Sequence, residues 1–437
     1  MDPEPHSEAG REAVRQAAAE LYVHCFPLLL TDIVRRAFPL ISHEFLLIRN
    51  RGGDLAAGLE DDDECLVLSG AWTELGEGPV IAHLPQTYGR FFSLTLIDTA
   101  GVPFASLGSR TGHDGGVRLA LVGPHWLGEL PKDVTVCKAP CSSVWVVSRL
   151  YAHSPLDIRK TLDLAAHQSL SPPGKEARAS RKPLAALDAP TPRPGSQLSA
   201  IDAVTFLHRL DSLLARAPEE WRRSSAAAVA AMRASVEAWR DDMEAELSQP
   251  VAAGIADGLA AIRAEAKDEA SDRALERPDD REGFAMALTR AAQAYLRLGA
   301  PAPKDVSSFV YDRDADGRPL DGGESYRIRF RRDSPPPALA FWRLSPRPAP
   351  QAGPRRALGD RCDMRPEADG SCLVFVQSAP PGPARLLNWL PCPNGRFSLT
   401  LRLFWPAPSV LRGGWRMPPI ERLAPDSLAS GPVTGQR

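Results

Sequence analysis

The sequence predicts an α+β protein, mainly β with helical insertions, in which two antiparallel β-sandwich or jelly-roll-like domains are joined by a helical region. Three observations carry this. Residues 65–151 are short apolar runs separated by turn residues. A second stretch of the same texture runs from 308 to 423. Between them, residues 201–298 are Ala-rich, strongly charged and almost free of β-branched runs. Short strands at regular spacing favour antiparallel sandwiches over alternating βαβ units. The expected layout is a helical segment at 1–39, a β-rich domain at 40–155, a helical region at 156–305 with a Pro-rich linker at 171–199, a β-sandwich at 306–425 and a disordered tail at 426–437.

Taken in order, Glu8 to Phe38 carries a helical apolar pattern with Pro27 as an internal break. The first β-rich stretch offers Cys65–Leu68, Pro79–Leu84, Phe91–Ile97, Val117–Val122 and Ser143–Val147 as strands, punctuated by Gly76, Gly78, Gly89, Gly101, Gly115-Gly116 and Gly123-Pro124. Leu156–Leu170 reads as one helix. In the Ala-rich region Phe206, Leu207, Leu210, Leu213 and Leu214 share a helical stripe, as do Leu288, Ala292, Tyr295 and Leu296. Pro250 and Gly254 are expected to split this region.

In the second β-rich stretch Tyr326, Ile328 and Phe330 alternate with arginines, and Cys372–Gln377 follows an Asp369-Gly370 turn. Asn394-Gly395 then feeds a long strand. Phe397, Leu399, Leu401, Leu403 and Trp405 alternate with Ser398, Thr400, Arg402 and Phe404, so the first five are expected on the buried face and Pro406 at the end.

The 437 residues are 43% hydrophobic and 24% charged, values of an ordinary globular protein with room for a substantial core. The net charge of −2 points to neither nucleic acid nor an anionic membrane. Arg318–Arg437 nevertheless holds 18 Arg, no Lys and 9 acids, a local balance of +9. That fits either an anion-binding C-terminal region or arginines on solvated strand faces. Seven cysteines without tight pairs predict free thiols rather than a disulfide framework, and no zinc spacing accompanies them. The beginning lacks a basic-then-apolar leader, and Leu21–Ile33 is too short and too polar to span a bilayer, which predicts a cytoplasmic protein.

Three polar constellations could carry chemistry. His83, Asp98 and Arg110, with Arg90, could act as base, orienter and anion clamp. The alternative is that Asp98 caps a turn, Arg110 satisfies buried carbonyls and His83 is a partly exposed strand residue. Trp342, Arg361, Gln377, Asn388, Trp389, Arg402 and Trp405 combine flat rings with fork-like donors, the chemistry of a sugar- or carboxylate-binding concavity. Their alternative is a set of core tryptophans, with Asn388 and Arg361 bonding loop backbone. Asp312–Gly317 copies the first half of an EF-hand loop, but Gly323 stands where the bidentate glutamate belongs, so a turn is expected and no metal. No phosphate-binding loop, nucleophile elbow or dinucleotide fingerprint occurs, and no cofactor is expected.

Two stretches resemble known families. Tyr22–Leu28 onward to Tyr151, with Ala71-Trp72, Gly78-Pro79, His83-Leu-Pro85, Gly89-Arg90, Asp98, Phe104–Ser106, Gly108–Thr111, Val122–Pro124 and Trp126, is similar to the bacterial domain-of-unknown-function family 1254. Tyr295–Leu423, with Asp316-Gly317, Leu320–Gly322, Phe341-Trp342, Gly359–Arg361, Asn388–Pro391, Trp405-Pro406 and Trp415, resembles domain-of-unknown-function family 1214. The resemblance implies paired jelly-roll-like domains with helical insertions and supplies no accepted activity. Asp62–Leu68 stands where the resemblance implies Pro-Asn-x-Asp-Thr-x-Tyr, and Val102 where it implies asparagine.

Those altered positions favour a non-catalytic small-ligand-binding or assembly protein. The alternative is a hydrolase acting on a polar or anionic substrate through His83, Asp98 and Arg110, so catalysis stays open. The expected partners are a small polar or anionic ligand and a second copy of the chain, with no nucleic acid and no membrane.

Overall fold

The computed structural model describes residues 7–38, 44–49, 59, 63–76, 78–113, 116–175, 184–187, 194–199, 201–238, 248–269, 283–348 and 357–424. The protein is mixed α and β, about 36% helix and 29% strand, with four sheets and no closed barrel among the described residues. It divides into two compact units, 1–61 with 65–301 and 62–64 with 302–437. The segments expected at 1–39, 40–155 and 156–305 fall in one unit apart from residues 62–64 and 302–305. The expected tail at 426–437 lies outside the described residues.

The first unit opens with α1 (Glu8–Ala37), capped by the Ser7 hydroxyl, which accepts from the Gly10 amide. Pro27 does not break it. Residues 21–30 are buried throughout, and the Trp221 indole donates to the His24 carbonyl in the turn before the proline, so packing holds the helix through it. Strands β1 (Leu46–Ile48), β2 (Leu66–Glu74), β3 (Val80–Leu84), β4 (Phe92–Ile97), β5 (Pro103–Gly108), β6 (Val117–Val122), β7 (Thr135–Lys138) and β8 (Ser143–Tyr151) follow. Then come α2 (Ile158–Ala165), β9 (Ser169–Ser171), β10 (Ala186–Leu187), α3 (Pro194–Ser199), α4 (Ala203–Arg216), α5 (Glu219–Ala238), α6 (Ser248–Glu269) and α7 (Gly283–Arg297).

A six-stranded sheet, β10-β1-β2-β8-β4-β5, and a four-stranded sheet, β7-β6-β3-β9, share one apolar core that includes Val67, Leu94, Val146, Ala82, Leu119 and Leu170. A second core joins α1 and the later helices to the other face of the larger sheet through Trp72 and Trp145. The pairing is not wholly antiparallel: β1–β10 and β6–β7 run parallel.

Two corrections concern helices. Gly254 does not split the Ala-rich region but lies inside α6, where a Cβ would collide with the Arg15 carbonyl; Gly258, one turn on, meets the Ala19 carbonyl. Glycines four apart let α6 approach α1 closely. The expected linker at 171–199 contains β9, β10 and α3 among its described residues. By length and apolarity α1 could cross a membrane, but 83% of its most apolar window is buried inside the protein.

The second unit holds β11 (Val306–Tyr311), β12 (Tyr326–Phe330), β13 (Ala338–Arg347), β14 (Cys372–Gln377), β15 (Trp389–Pro391), β16 (Ser398–Pro406), the short α8 (Pro408–Leu411) and β17 (Ile420–Arg422). They form sheets β11-β16-β13 and β15-β14-β12-β17 around a shared core that includes Ile328, Trp342, Leu344, Val374, Leu399, Leu401 and Leu403. Here β14–β15 is the parallel pair. Trp405 leaves the expected face: its φ of 52° lies in the left-handed region, so the alternation breaks there and the ring is half-buried, outside that core. Phe404 is fully buried instead, stacked on Phe341 with centroids 4.1 Å apart.

Candidate functional site

The sequence-predicted residues separate into three groups. His83 is exposed on β3, opposite Arg118 and Ser169 in the four-stranded sheet. Asp98 follows β4 and Arg110 follows β5, both in the six-stranded sheet, so the topology does not gather these three. Asp98 closes the β4–β5 turn, its Oδ1 accepting from the Ala100 and Val102 amides at 2.9 Å each. Burial pushes its carboxyl up to about 6 against the pull of those two amides. Arg110 donates to the Ser106 hydroxyl at 3.1 Å.

Arg90 is buried against Asp157, with Nη2–Oδ1 at 2.5 Å and Nε–Oδ2 at 2.8 Å, and also donates to Thr161 and the Thr87 carbonyl. The Arg90 fork holds the Asp157 carboxyl down to about 2. This pair ties the start of β4 to the start of α2.

In the second unit Trp342 faces the core beside Phe330. Asn388 is wholly occupied with backbone: its amide donates to the Arg365 and Leu373 carbonyls, and its oxygen accepts from the Arg365 amide. Gln377 donates to the Ala379 carbonyl, while the Trp389 indole donates to the Gln377 carbonyl. The Asp312–Gly317 segment is a turn in which the Asp314 carboxylate accepts the Asp316 and Arg318 amides.

Arg361 and Arg402 are different. Arg402 lies on the face of sheet β11-β16-β13 that points away from the core, and Arg361 is carried over a ring on that same face. Register builds this face in rows: Val306, Phe404 and Phe341; then Ser308, Arg402 and Arg343; then Val310, Thr400 and Ser345; then Ser398 beside Arg347. Arg343 and Arg402 thus stand directly opposite on neighbouring strands, an arrangement that like charges disfavour.

At the first row, the loop after β13 rejoins its strand. Leu358 exchanges both backbone hydrogen bonds with Leu344, and Gly359 lies so close to the Trp342 carbonyl that a Cβ would collide with it. Asp360 accepts the Trp342 amide at 2.9 Å, which carries the Arg361 guanidinium over the Phe341 ring, 3.9 Å from its centroid.

Charge on this face is incompletely matched. Arg343 pairs with Asp63 at 2.8 Å. Burial, and then the charge of Arg402, pull the Arg347 guanidinium down to about 9. Arg402 has no acidic partner among the described residues. The Thr400 hydroxyl, on a residue 2% exposed, has no hydrogen-bond partner among them either. A buried hydroxyl without a partner forgoes roughly 1–3 kcal/mol. Guanidinium forks beside a spare hydroxyl form a donor set suited to an oxyanion.

Sequence reasoning singled out Arg361 and Arg402 and did not single out Arg343, Arg347 or Thr400, which share the face. The missed signal was the alternation Phe341-x-Arg343-x-Ser345-x-Arg347, which marks a strand with one polar face.

Comparison with known proteins follows the same division. Residues 65–172 match the family model described as "Protein of unknown function (DUF1254)", and residues 305–408 match "Protein of unknown function (DUF1214)". The chain carries the two in the order its motifs implied. None of the curated proteins matches it. The crystal structure of the VPA0106 protein from Vibrio parahaemolyticus is similar at a TM-score of 0.67 and 19% identity, over 94% of this chain and 100% of that one, which shows a shared fold. A putative uncharacterized protein from Burkholderia cenocepacia aligns at a TM-score of 0.43 and 13% identity, over 97% of this chain and 91% of that one.

Proposed function

We propose that the protein is a non-catalytic, cytoplasmic small-ligand-binding protein on two jelly-roll-like sandwiches, and that the Arg343–Arg347–Arg402 face takes a multivalent oxyanion. The observation that carries this reading is Arg402: a half-buried guanidinium opposite Arg343, with no acidic partner among the described residues, beside the partnerless Thr400 hydroxyl. Two shared cores, each lined by two sheets, support the sandwich reading. The local excess of 18 Arg over 9 acids in Arg318–Arg437 supports an anion over a neutral ligand.

Calorimetric titration with inorganic phosphate, citrate and a neutral sugar tests it. Phosphate or citrate should bind and weaken with added salt, while the sugar should not bind. Arg402→Ala should weaken the anion about tenfold or more, the loss of one charge-assisted fork. Equal affinity of wild type and Arg402→Ala for both anions would refute the reading.

A further inference from the structure

Two loops of the first unit hold apolar side chains out in water and are clamped to each other beneath them. The turn between β3 and β4 carries Tyr88, 70% exposed, and the turn between β8 and α2 carries Leu156, 96% exposed. Arg90 and Asp157 form the clamp. Arg90 Nη1 donates to the Thr87 carbonyl at 3.1 Å, and its other two nitrogens donate to Asp157, whose Oδ2 also accepts the His153 amide at 3.1 Å. The His153 Nε2 lies 3.3 Å from the Tyr88 carbonyl, which ties the two tips together.

Single exposed apolar residues are common on any surface. Tyr88 differs because its backbone is strained: a φ of 52° puts a bulky residue in the left-handed region. Strain of this kind persists only where the surroundings impose it, and the Arg90–Asp157 clamp does so. An exposed ring returns little packing in exchange. The fold thus holds an aromatic ring in water at a cost, beside a leucine with almost all of its surface in water.

The charge alongside points to what covers them. A short 3₁₀ turn, Pro155–Asp157, runs straight into α2, so Arg159 and Lys160, three and four residues beyond Leu156, share its helical face. Both are exposed, and neither has an ion pair among the described residues. Asp163, the next acid on that face, lies a further turn away from Leu156.

We propose that these clamped tips dock on an anionic lipid surface, with Tyr88 and Leu156 entering the interfacial layer and Arg159 and Lys160 against the headgroups. Two protruding tips suit a deformable layer better than a protein partner, which needs roughly 800 Å² of matched surface on each side. Aromatic rings favour the interfacial level, and each basic residue there gains from anionic lipid. The net charge of −2 argues against an anionic membrane for the chain as a whole, but a bilayer's field reaches only about 10 Å and so acts on the charges nearest it. Docking of this kind is weak and reversible, unlike the insertion of a spanning helix.

Sedimentation of the full chain with lipid vesicles tests the proposal. The chain should pellet with phosphatidylcholine–phosphatidylserine vesicles of about two to one, pellet several-fold less with phosphatidylcholine alone, and be released by salt. Leu156→Ser, in a side chain almost wholly in water, should weaken binding about fivefold or more and leave thermal unfolding unchanged. Tyr88→Gly separates docking from folding: it relieves the left-handed φ, so the melting temperature should hold or rise while vesicle binding falls several-fold. Arg159→Gln combined with Lys160→Gln should lower binding to the level of phosphatidylcholine alone. Arg402→Ala should bind vesicles as wild type does, which separates these tips from the arginine face. No pelleting with phosphatidylserine vesicles, or wild-type pelleting by Leu156→Ser and Tyr88→Gly, would overturn the proposal. Self-association that Leu156→Ser abolishes, in place of vesicle binding, would also overturn it and assign the tips to a second copy of the chain.

Discussion

The Arg90 cluster in the first unit and the Arg402 face in the second begin from the same residue type and end differently. Arg90 is buried, but all three nitrogens of its guanidinium are used: two on Asp157, one of these also on Thr161, and the third on the Thr87 carbonyl. Arg402 is less buried, faces Arg343 across the ladder and has no acid among the described residues. A buried arginine is therefore weak grounds for a site; what matters is whether the fold has already consumed its charge. The Arg90 cluster is a rivet, whereas the Arg402 face, on the proposed reading, is a binding surface.

The largest expected effect follows directly. Arg90→Ala leaves Asp157, whose side chain is 15% exposed, without its counter-ion, and should cost about 3–5 kcal/mol in urea unfolding. Because the Asp157 carboxyl is held down to about 2, the stability from this pair is present above about pH 4 and lost as pH falls toward 2; Arg90→Ala should flatten that acid limb. A cost below about 1 kcal/mol would erase the contrast with Arg402.

Phe404 and Trp405 sharpen the comparison within one strand. Phe404→Ala removes a fully buried ring from the Phe341 stack and should cost about 3–5 kcal/mol. Trp405→Ala should cost less, since that ring is half-buried, and Trp405→Gly should recover part of the loss by relieving the left-handed φ. Thermal unfolding of the three variants decides; Trp405→Ala as damaging as Phe404→Ala would restore the ring to the core.

Asp98 gives a smaller effect of opposite sign. Its carboxyl is raised to about 6 by burial, so between about pH 4 and 6 the folded chain binds a proton that the unfolded chain has released, and stability falls as pH rises through that window. Asp98→Asn keeps an Oδ1 acceptor for the Ala100 and Val102 amides without the charge. It should be more stable than wild type at pH 7, by up to about 3 kcal/mol, and indistinguishable near pH 4. Equal pH profiles would show that Asp98 titrates normally.

Much of the fold was legible because strand period and turn residues are local signals. Phe91–Ile97, Val117–Val122, Tyr326–Phe330 and Cys372–Gln377 all form strands. Pro27 and Gly254 misled because their effect is tertiary: both are local helix breakers that close packing between α1 and its neighbours overrides. Trp405 misled because a single left-handed residue reverses the alternation, and nothing in its letter announces that. The candidate face was half legible. Arg361 and Arg402 stood out by residue type, but the placing of Arg402 beside Arg343 and Arg347 depends on the register of β13 against β16, which no local pattern encodes.

The decisive experiment compares thermal unfolding of wild type and Arg402→Ala with and without citrate. If the arginine face is unspent binding capacity, removing Arg402 relieves repulsion, so the variant without citrate should be at least as stable as wild type. Citrate should then stabilise wild type as RT ln(1 + [L]/Kd) requires and stabilise the variant much less. An Arg402→Ala protein that is less stable without citrate, and gains as much from it as wild type does, would contradict the claim and make Arg402 a structural residue like Arg90.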